Sequence, residues 1–304
     1  MRIVFMGTPA FAVPSLRAVA AQHEVSLVVT RPDAVRGRGR RLQPSPVKEE
    51  GIRLGIDVLE ASRIGADEVS RIAQERPDVI CVAAYGAILP DELLRVPKLD
   101  IVNVHASLLP HGRGAAPIQR AVLNGDELAG VSIMRIVHDL DAGPYCSQAS
   151  FPIGNKSCEE VMAQVAELGA GELVDALTRM AAGNADWVEQ DEGQASYAAK
   201  VQKAEMLLDP ANDALTNMRR VQASLDTAPA RAIVCGRGVR VMEACVCAQG
   251  VAQGEVLAKK GRVFLGCAKD SLEVLSVKPD GKRQMPASAW ASGLRKGELR
   301  WERA

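Results

Sequence analysis

Five short apolar runs mark the first half of the chain. They cover residues 2–6, 24–30, 78–84, 100–105 and 130–136. The first stops at Gly7, Thr8 and Pro9, and the third reads Asp-Val-Ile-Cys-Val-Ala-Ala. Between the first two, residues 11–21 carry apolar positions at helical spacing. Apolar runs of this length, bounded by Gly and Pro and separated by helices, predict a mostly parallel sheet with crossover helices. Residues 157–183 predict one long helix. Ser157 and Glu160 form a capping-box pattern, apolar residues recur at 161, 162, 165, 173, 174, 177 and 180, and Gly183 can end it.

The texture changes after about Asn184. Residues 187–203 are mixed and polar, the pattern of a connector, and 210–221 can form a short helix. From Arg231 onward, short alternating segments are separated by Gly236, Gly238, Gly250, Gly254, Gly261, Gly266 and Gly281. Short strands with frequent turns predict a small β-barrel or sandwich. The expected organisation is a Rossmann-like α/β domain over 1–188, a linker over 189–204 and a β domain over 205–304. A length of 304 residues suits two domains, and 47% hydrophobic residues can fill both cores.

Composition narrows the setting. No apolar stretch is long enough to span a bilayer, so no membrane partner is expected. The segment Met1-Arg2-Ile3-Val4-Phe5-Met6-Gly7 reads as a first strand, not a signal peptide. Seven scattered cysteines point to a reducing compartment, the cytoplasm. Cys245 and Cys247 are close, but no histidine lies nearby, so buried thiols are expected and no metal site. Net charge is zero, yet from Glu205 onward 16 basic residues face 11 acidic ones. That surplus favours an anionic partner for the C-terminal part, although surface drift explains it nearly as well.

In open α/β sheets the site lies beyond the C-terminal ends of the strands. The fourth run, Ile101-Val102-Asn103-Val104-His105, places an amide and an imidazole two residues apart, hence on one face of a strand. The fifth run is followed by His138-Asp139-Leu140-Asp141-Ala142-Gly143, which sets a carboxylate at the adjacent strand end. These groups suit acyl transfer to an amine. His105 can take the amine proton, Asn103 can donate to a developing oxyanion, and Asp141 can hold the imidazole. The amine attacks directly, so no nucleophilic Ser or Cys is needed. A structural histidine, a turn-capping Asn and a turn Asp account for the same residue types.

Asn103-Val104-His105-Ala106-Ser107-Leu108-Leu109-Pro110, followed by Arg113-Gly114-Ala115-Ala116-Pro117-Ile118-Gln119, closely resembles the signature of the folate-dependent formyltransferase family. Leu140-Asp141-Ala142-Gly143 resembles its second motif. The resemblance implies that Asn103, His105 and Asp141 are the catalytic trio. It implies that Ser107, Leu108, Leu109 and Pro110 line the folate site. Tyr85-Gly86-Ala87-Ile88-Leu89-Pro90 resembles the family's pterin-side loop, so Tyr85, Gly86, Ile88 and Leu89 join the folate contacts. Gly7-Thr8-Pro9-Ala10-Phe11-Ala12 and Pro44-Ser45-Pro46-Val47-Lys48 resemble the branch of the family that acts on methionyl-tRNA.

Between those two segments, residues 31–41 form a basic, Gly-containing stretch similar to that branch's tRNA-entering insertion, which implies tRNA contacts for Arg36, Arg38, Arg40 and Arg41. Its glycines and like charges leave it little to bury alone, so it is expected to order on its partner. The implied C-terminal fold is an OB-like barrel that contacts tRNA. The implied reaction moves formyl from 10-formyltetrahydrofolate, a co-substrate, to the amine of initiator methionyl-tRNA, in a monomer without metal, for translation initiation. Two positions depart from the family pattern. Pro144 follows Gly143 where an acidic residue is usual, and Asp226-Thr227-Ala228-Pro229-Ala230 replaces an aromatic-rich segment. With 3% aromatics, phosphate contact is expected to outweigh base stacking in the barrel.

Three rivals remain to be weighed. A formyltransferase for an amino sugar nucleotide would share the motifs but needs no basic insertion. A non-catalytic folate- or nucleotide-binding module would not need an intact trio. A nicotinamide dehydrogenase would need a Gly-x-Gly-x-x-Gly turn, which Gly7-Thr8-Pro9 is not.

Overall fold

The structure, a computed structural model, describes residues 1–35, 42–294 and 299–304. These gather into two units. One comprises Met1–Pro117, Leu128–Pro152 and Met162–Ala198. The other comprises Ile118–Glu127, Ile153–Val161 and Ala199–Ala304.

The chain begins β1 (Arg2–Gly7), α1 (Val13–Gln22), β2 (Glu24–Thr30), β3 (Ala34–Val35), β4 (Leu42–Gln43), α2 (Pro46–Arg53), β5 (Val58–Glu60) and α3 (Ala66–Gln74). It continues β6 (Val79–Ala83), α4 (Asp91–Leu94), β7 (Asp100–His105), α5 (Pro117–Asn124), β8 (Leu128–Arg135), β9 (Tyr145–Pro152) and α6 (Cys158–Ala181). Seven strands make one sheet, ordered β5-β2-β1-β6-β7-β8-β9. The first five in that order are parallel. β8 and β9 each run antiparallel to the strand before them. This is the Rossmann-like, mostly parallel α/β architecture, with a reversed strand inserted after β7.

The apolar runs explain the sheet. Every residue of β6 is buried, as a strand covered on both faces requires. On one face Val4, Met6, Leu27, Val29, Ile80 and Val82 form a core with Ile72 of α3 and Leu93 of α4. The predicted long helix is α6, and its capping box is formed. Glu160 Oε2 accepts from the Ser157 N–H at 2.7 Å, and Ser157 Oγ accepts from the Glu160 N–H at 3.3 Å. Gly169 brings α6 close to the sheet. A Cβ there would lie 2.7 Å from Val104 Cγ1 and 3.1 Å from Val131 Cγ2. The helix thus presses on Val104, between Asn103 and His105, and by strand alternation those two face the other way.

The second unit contains α7 (Ala214–Gln222), β10 (Arg231–Val234), β11 (Arg237–Cys247), β12 (Val256–Lys259), β13 (Arg262–Gly266), β14 (Ser271–Pro279), β15 (Met285–Pro286), α8 (Ala287–Ala291) and β16 (Trp301–Arg303). Its sheet is ordered β12-β13-β14-β11-β10-β16, with β15 beside β14. The two edges meet. The Val256 N–H donates to Leu299 O at 2.7 Å, and the Trp301 N–H donates to Gly254 O at 2.9 Å. That closure removes the open edges and gives an OB-like barrel around Val234, Val241, Val263, Leu265, Leu272 and Val277. Asp213 caps α7 by accepting from the Thr216 N–H. Among the described residues, no helix is long and apolar enough to cross a membrane.

Candidate active site

Strand order reverses direction around β1: β2 and β5 lie to one side, β6 and β7 to the other. Such a switch point opens a crevice at the C-terminal strand ends. The loops that leave β1 and β6 are tied together, because Thr8 Oγ1 donates to Tyr85 O at 2.9 Å. The Tyr85 side chain itself turns into the core, 2% exposed, and its hydroxyl donates to Ala61 O at 2.8 Å. Burial pushes its phenol up to about 12. The Tyr85 side chain is thus committed to the core, and its carbonyl to Thr8. Gly86 takes φ +84°, and its carbonyl accepts from Arg31 Nη1 at 2.6 Å. Leu89 packs against the core, whereas Ile88 stands 92% exposed.

The loop after β7 is held by polar groups that the sequence reading had not singled out. Ser132 of β8 and Gln148 of β9 are directly opposite each other. Buried Ser132 donates to Ser107 O at 2.7 Å and accepts from the Leu109 N–H at 3.1 Å. Gln148 Nε2 donates to Leu109 O at 2.8 Å and to Ser132 Oγ at 2.9 Å. Ser107 Oγ donates to His111 O at 2.6 Å. Leu109 is buried, and its peptide to Pro110 is cis. Leu108 lies over Gly130, where a Cβ would come within 2.5 Å of Leu108 Cδ2. The signal for Ser132 was present in the sequence: a hydroxyl between Val131 and Ile133 inside an apolar run needs buried partners.

His105 is 5% exposed. Its Nε2 lies 3.0 Å from Gly112 O, and its Nδ1 lies 3.7 Å from Asp141 Oδ2. A carbonyl oxygen only accepts, so Nε2 carries the proton in that contact. Asp141 Oδ2 accepts from the Gly114 N–H at 2.8 Å. Asp141 adopts φ +52°, a left-handed conformation uncommon outside glycine. Half-buried Asn103 has no hydrogen-bond partner for its amide among the described residues, which leaves that donor to a ligand.

The trio does not sit on adjacent parallel strand ends, as the sequence pattern had implied. β8 returns antiparallel to β7, so its last residues lie beside the start of β7, where the Ile136 N–H donates to Ile101 O at 2.9 Å. The loop from 137 to 142 carries Asp141 back to the imidazole.

Segment 112–116 is clamped by residues of the expected connector. The Gly112 N–H donates to Ser196 Oγ at 3.0 Å, and the Arg113 N–H to Ser196 O at 2.9 Å. The Ala198 N–H donates to Arg113 O at 2.6 Å, and the Ala116 N–H to Ala198 O at 3.0 Å. Gly114, at φ +110°, would place a Cβ 3.1 Å from Ala198 O. Arg113 is 1% exposed and meets Glu192 with both terminal nitrogens, at 3.0 and 2.7 Å.

Arg36, Arg38, Arg40 and Arg41 lie outside the described residues. The flanks of their segment are anchored. Arg31 holds Gly86 O, and Lys48 pairs with Asp33 at 2.7 Å and Glu60 at 2.9 Å. Among the described residues, no group of three or more His, Cys, Asp or Glu is placed to hold a metal ion.

Comparison with known proteins places this geometry among relatives. Residues 1–177 match the model of the family described as formyl transferase, and residues 200–295 match that of the formyl transferase C-terminal domain. A methionyl-tRNA formyltransferase of Methylococcus capsulatus is 43% identical over 292 residues, covering 94% of this chain and 95% of that protein. Among solved structures, HypX from Aquifex aeolicus in complex with tetrahydrofolic acid gives a TM-score of 0.68 at 19% identity, over 98% of this chain and 48% of that one. WlaRD, a sugar 3N-formyl transferase, also gives 0.68, at 13% identity over 93% of this chain and 99% of that one. At those identities the two structures are alike in fold alone.

Proposed function

The chain belongs to the formyl transferase family, and from that premise we propose that it moves a formyl group from 10-formyltetrahydrofolate to the free amine of initiator methionyl-tRNA, at the start of translation. The observation that carries the reading is the open amide of Asn103 on the same strand face as His105, with Asp141 against the imidazole.

The folate fits the residues present. The exposed side chain of Ile88 can lie against an aromatic ring, and the 107–110 loop is fixed by Ser132 and Gln148. When bound, it supplies the activated formyl carbon. Asn103 donates its N–H to the formyl oxygen as negative charge gathers there. His105 takes the proton released by the attacking amine and returns it to the departing nitrogen. To do so, the ring exchanges its contact with Gly112 O for one with the substrates. Asp141 holds the imidazole and offsets its charge while the proton is on it.

We assign this chemistry to the domain of residues 1–188 and the tRNA contacts of the C-terminal side to 205–304, with 189–204 joining them. Seven free cysteines agree with a cytoplasmic setting, and the enzyme is taken as a monomer. An amino sugar nucleotide is the weaker acceptor. The relative at 43% identity is a methionyl-tRNA enzyme, while the sugar enzyme shares 13%.

The test is formylation of charged initiator tRNA, with free methionine and an amino sugar nucleotide as controls. His105→Ala should lower turnover about 10²–10⁴-fold. Turnover at the parent's level in that variant would remove His105 from the mechanism. Formylation of the sugar nucleotide alone would replace the substrate.

A further inference from the structure

We propose that Gln190 is a positioning residue for Asp141, held in its working orientation by buried Arg113; the inference rests on the acyl-transfer reading of the His105–Asp141 pair. Gln190 Nε2 donates to Asp141 O at 2.8 Å and to Gly143 O at 2.7 Å. These two carbonyls bracket the turn in which Asp141 takes its left-handed backbone. The other end of the amide, Gln190 Oε1, accepts from Arg113 Nε at 2.9 Å. An arginine nitrogen only donates and a carbonyl only accepts, so a single orientation of the Gln190 amide satisfies all three contacts.

The arrangement closes on itself. Gly112 O, before Arg113, meets the His105 ring, and the Gly114 N–H, after it, meets the Asp141 carboxylate. The Arg113 side chain then reaches round through Gln190 to the backbone of Asp141. One peptide segment therefore touches both members of the pair directly and fixes the loop of one of them from behind. The exposed carboxylate of Glu192 is a further partner of the guanidinium. A buried arginine is seldom worth its desolvation for an ion pair alone, since well-packed apolar residues serve stability as well. Its use here is direction. The planar guanidinium points Nε at Gln190 while its two terminal nitrogens hold Glu192.

Positioning makes a different demand from packing, and two substitutions separate them. Gln190→Glu keeps the shape and an acceptor for Arg113 Nε but turns acceptors toward Asp141 O and Gly143 O. Gln190→Met keeps the bulk and loses both sets of bonds. The experiment measures kcat, both KM values and thermal melting for each, alone and combined with Asp141→Asn, with His105→Ala run beside them. For both Gln190 variants kcat should fall about tenfold or more, since a small misplacement of a reacting group is costly, while either KM changes less than about twofold. In the Asp141→Asn background the further loss from Gln190→Glu should be less than about twofold, because the two changes remove one function.

Parent-like kcat in Gln190→Glu, or a full multiplicative loss on top of Asp141→Asn, overturns the proposal. So does a lowered melting temperature with kcat unmoved, which is the mark of a structural strap. His105→Ala with parent-like turnover would instead sink the acyl-transfer reading. An inactive His105→Ala beside an unaffected Gln190→Glu would remove Gln190 alone.

Discussion

At the scale of single residues, Asp141 offers the sharpest separation of charge from shape. Its φ of +52° is one that Asn tolerates as well as Asp. Asp141→Asn therefore keeps the turn, and the amide oxygen can still accept from the Gly114 N–H. What is lost is the negative charge 3.7 Å from His105 Nδ1. Turnover should drop about 10²-fold or more with melting almost unchanged, measured by single-turnover formylation and thermal unfolding. A large loss of stability with modest loss of rate would make Asp141 a turn residue and nothing else.

Residue-scale legibility followed from local geometry. Asn103 and His105 could be paired in advance because strand alternation alone puts them on one face. Tyr85 could not be placed, because its hydroxyl partner, Ala61 O, comes from a distant loop. Gln190 was invisible for the same reason, since its value lies in three contacts with residues far off in sequence.

At the scale of elements, the apolar runs at 78–84 and 100–105 became β6 and β7 almost residue for residue, and the capping box at Ser157 starts α6. Strand direction was not legible, because an apolar run reads the same both ways. Hence β8 emerged antiparallel and Asp141 reached His105 by a different route.

Pairing between elements is likewise non-local. Glu50 of α2 is buried under Arg17 of α1 and Arg53 of its own helix. Hydrogen bonds from Arg17 first, then Arg53, pull its carboxyl from 4.5 to about 2. A carboxyl depressed in the folded state adds stability above its unfolded value and loses it as pH falls through the folded one. The melting temperature should therefore decline as pH is lowered from about 5 to 2, beyond the general acid effect. Glu50→Gln should start lower at neutral pH and show a shallower decline across that window. Two parallel curves would mean that Glu50 contributes nothing through its charge. The arginines are more than half exposed, so the difference should shrink in high salt.

At the scale of the whole molecule, the question is how a chain so poor in aromatics holds an RNA. From 205 onward the aromatic residues are Phe264, Trp290 and Trp301. Trp301 is buried, with its indole N–H on Gly266 O at 2.9 Å. Phe264 is buried with Arg262 over its ring, and Trp290 packs against the barrel core. Of the three, Trp290 alone keeps part of its surface open, so charge is expected to carry more of the tRNA contact than base stacking. Binding through phosphates releases counterions, so the KM for methionyl-tRNA should rise steeply with salt while folate affinity barely moves. Arg40→Ala or Arg41→Ala should each reduce the log–log salt slope by about one unit. Arg38 should behave differently. It stands between Gly37 and Gly39, which let its planar fork approach backbone or base, so Arg38→Lys should already slow formylation and Arg38→Ala slow it further. Neither should change folate affinity, because the 107–110 loop is fixed by Ser132 and Gln148. The measurement is formylation rate and folate Kd for each variant across several salt concentrations. If Arg38→Ala formylates methionyl-tRNA as well as the parent, the basic segment does not read the tRNA. The surplus charge of the C-terminal part must then account for recognition by itself.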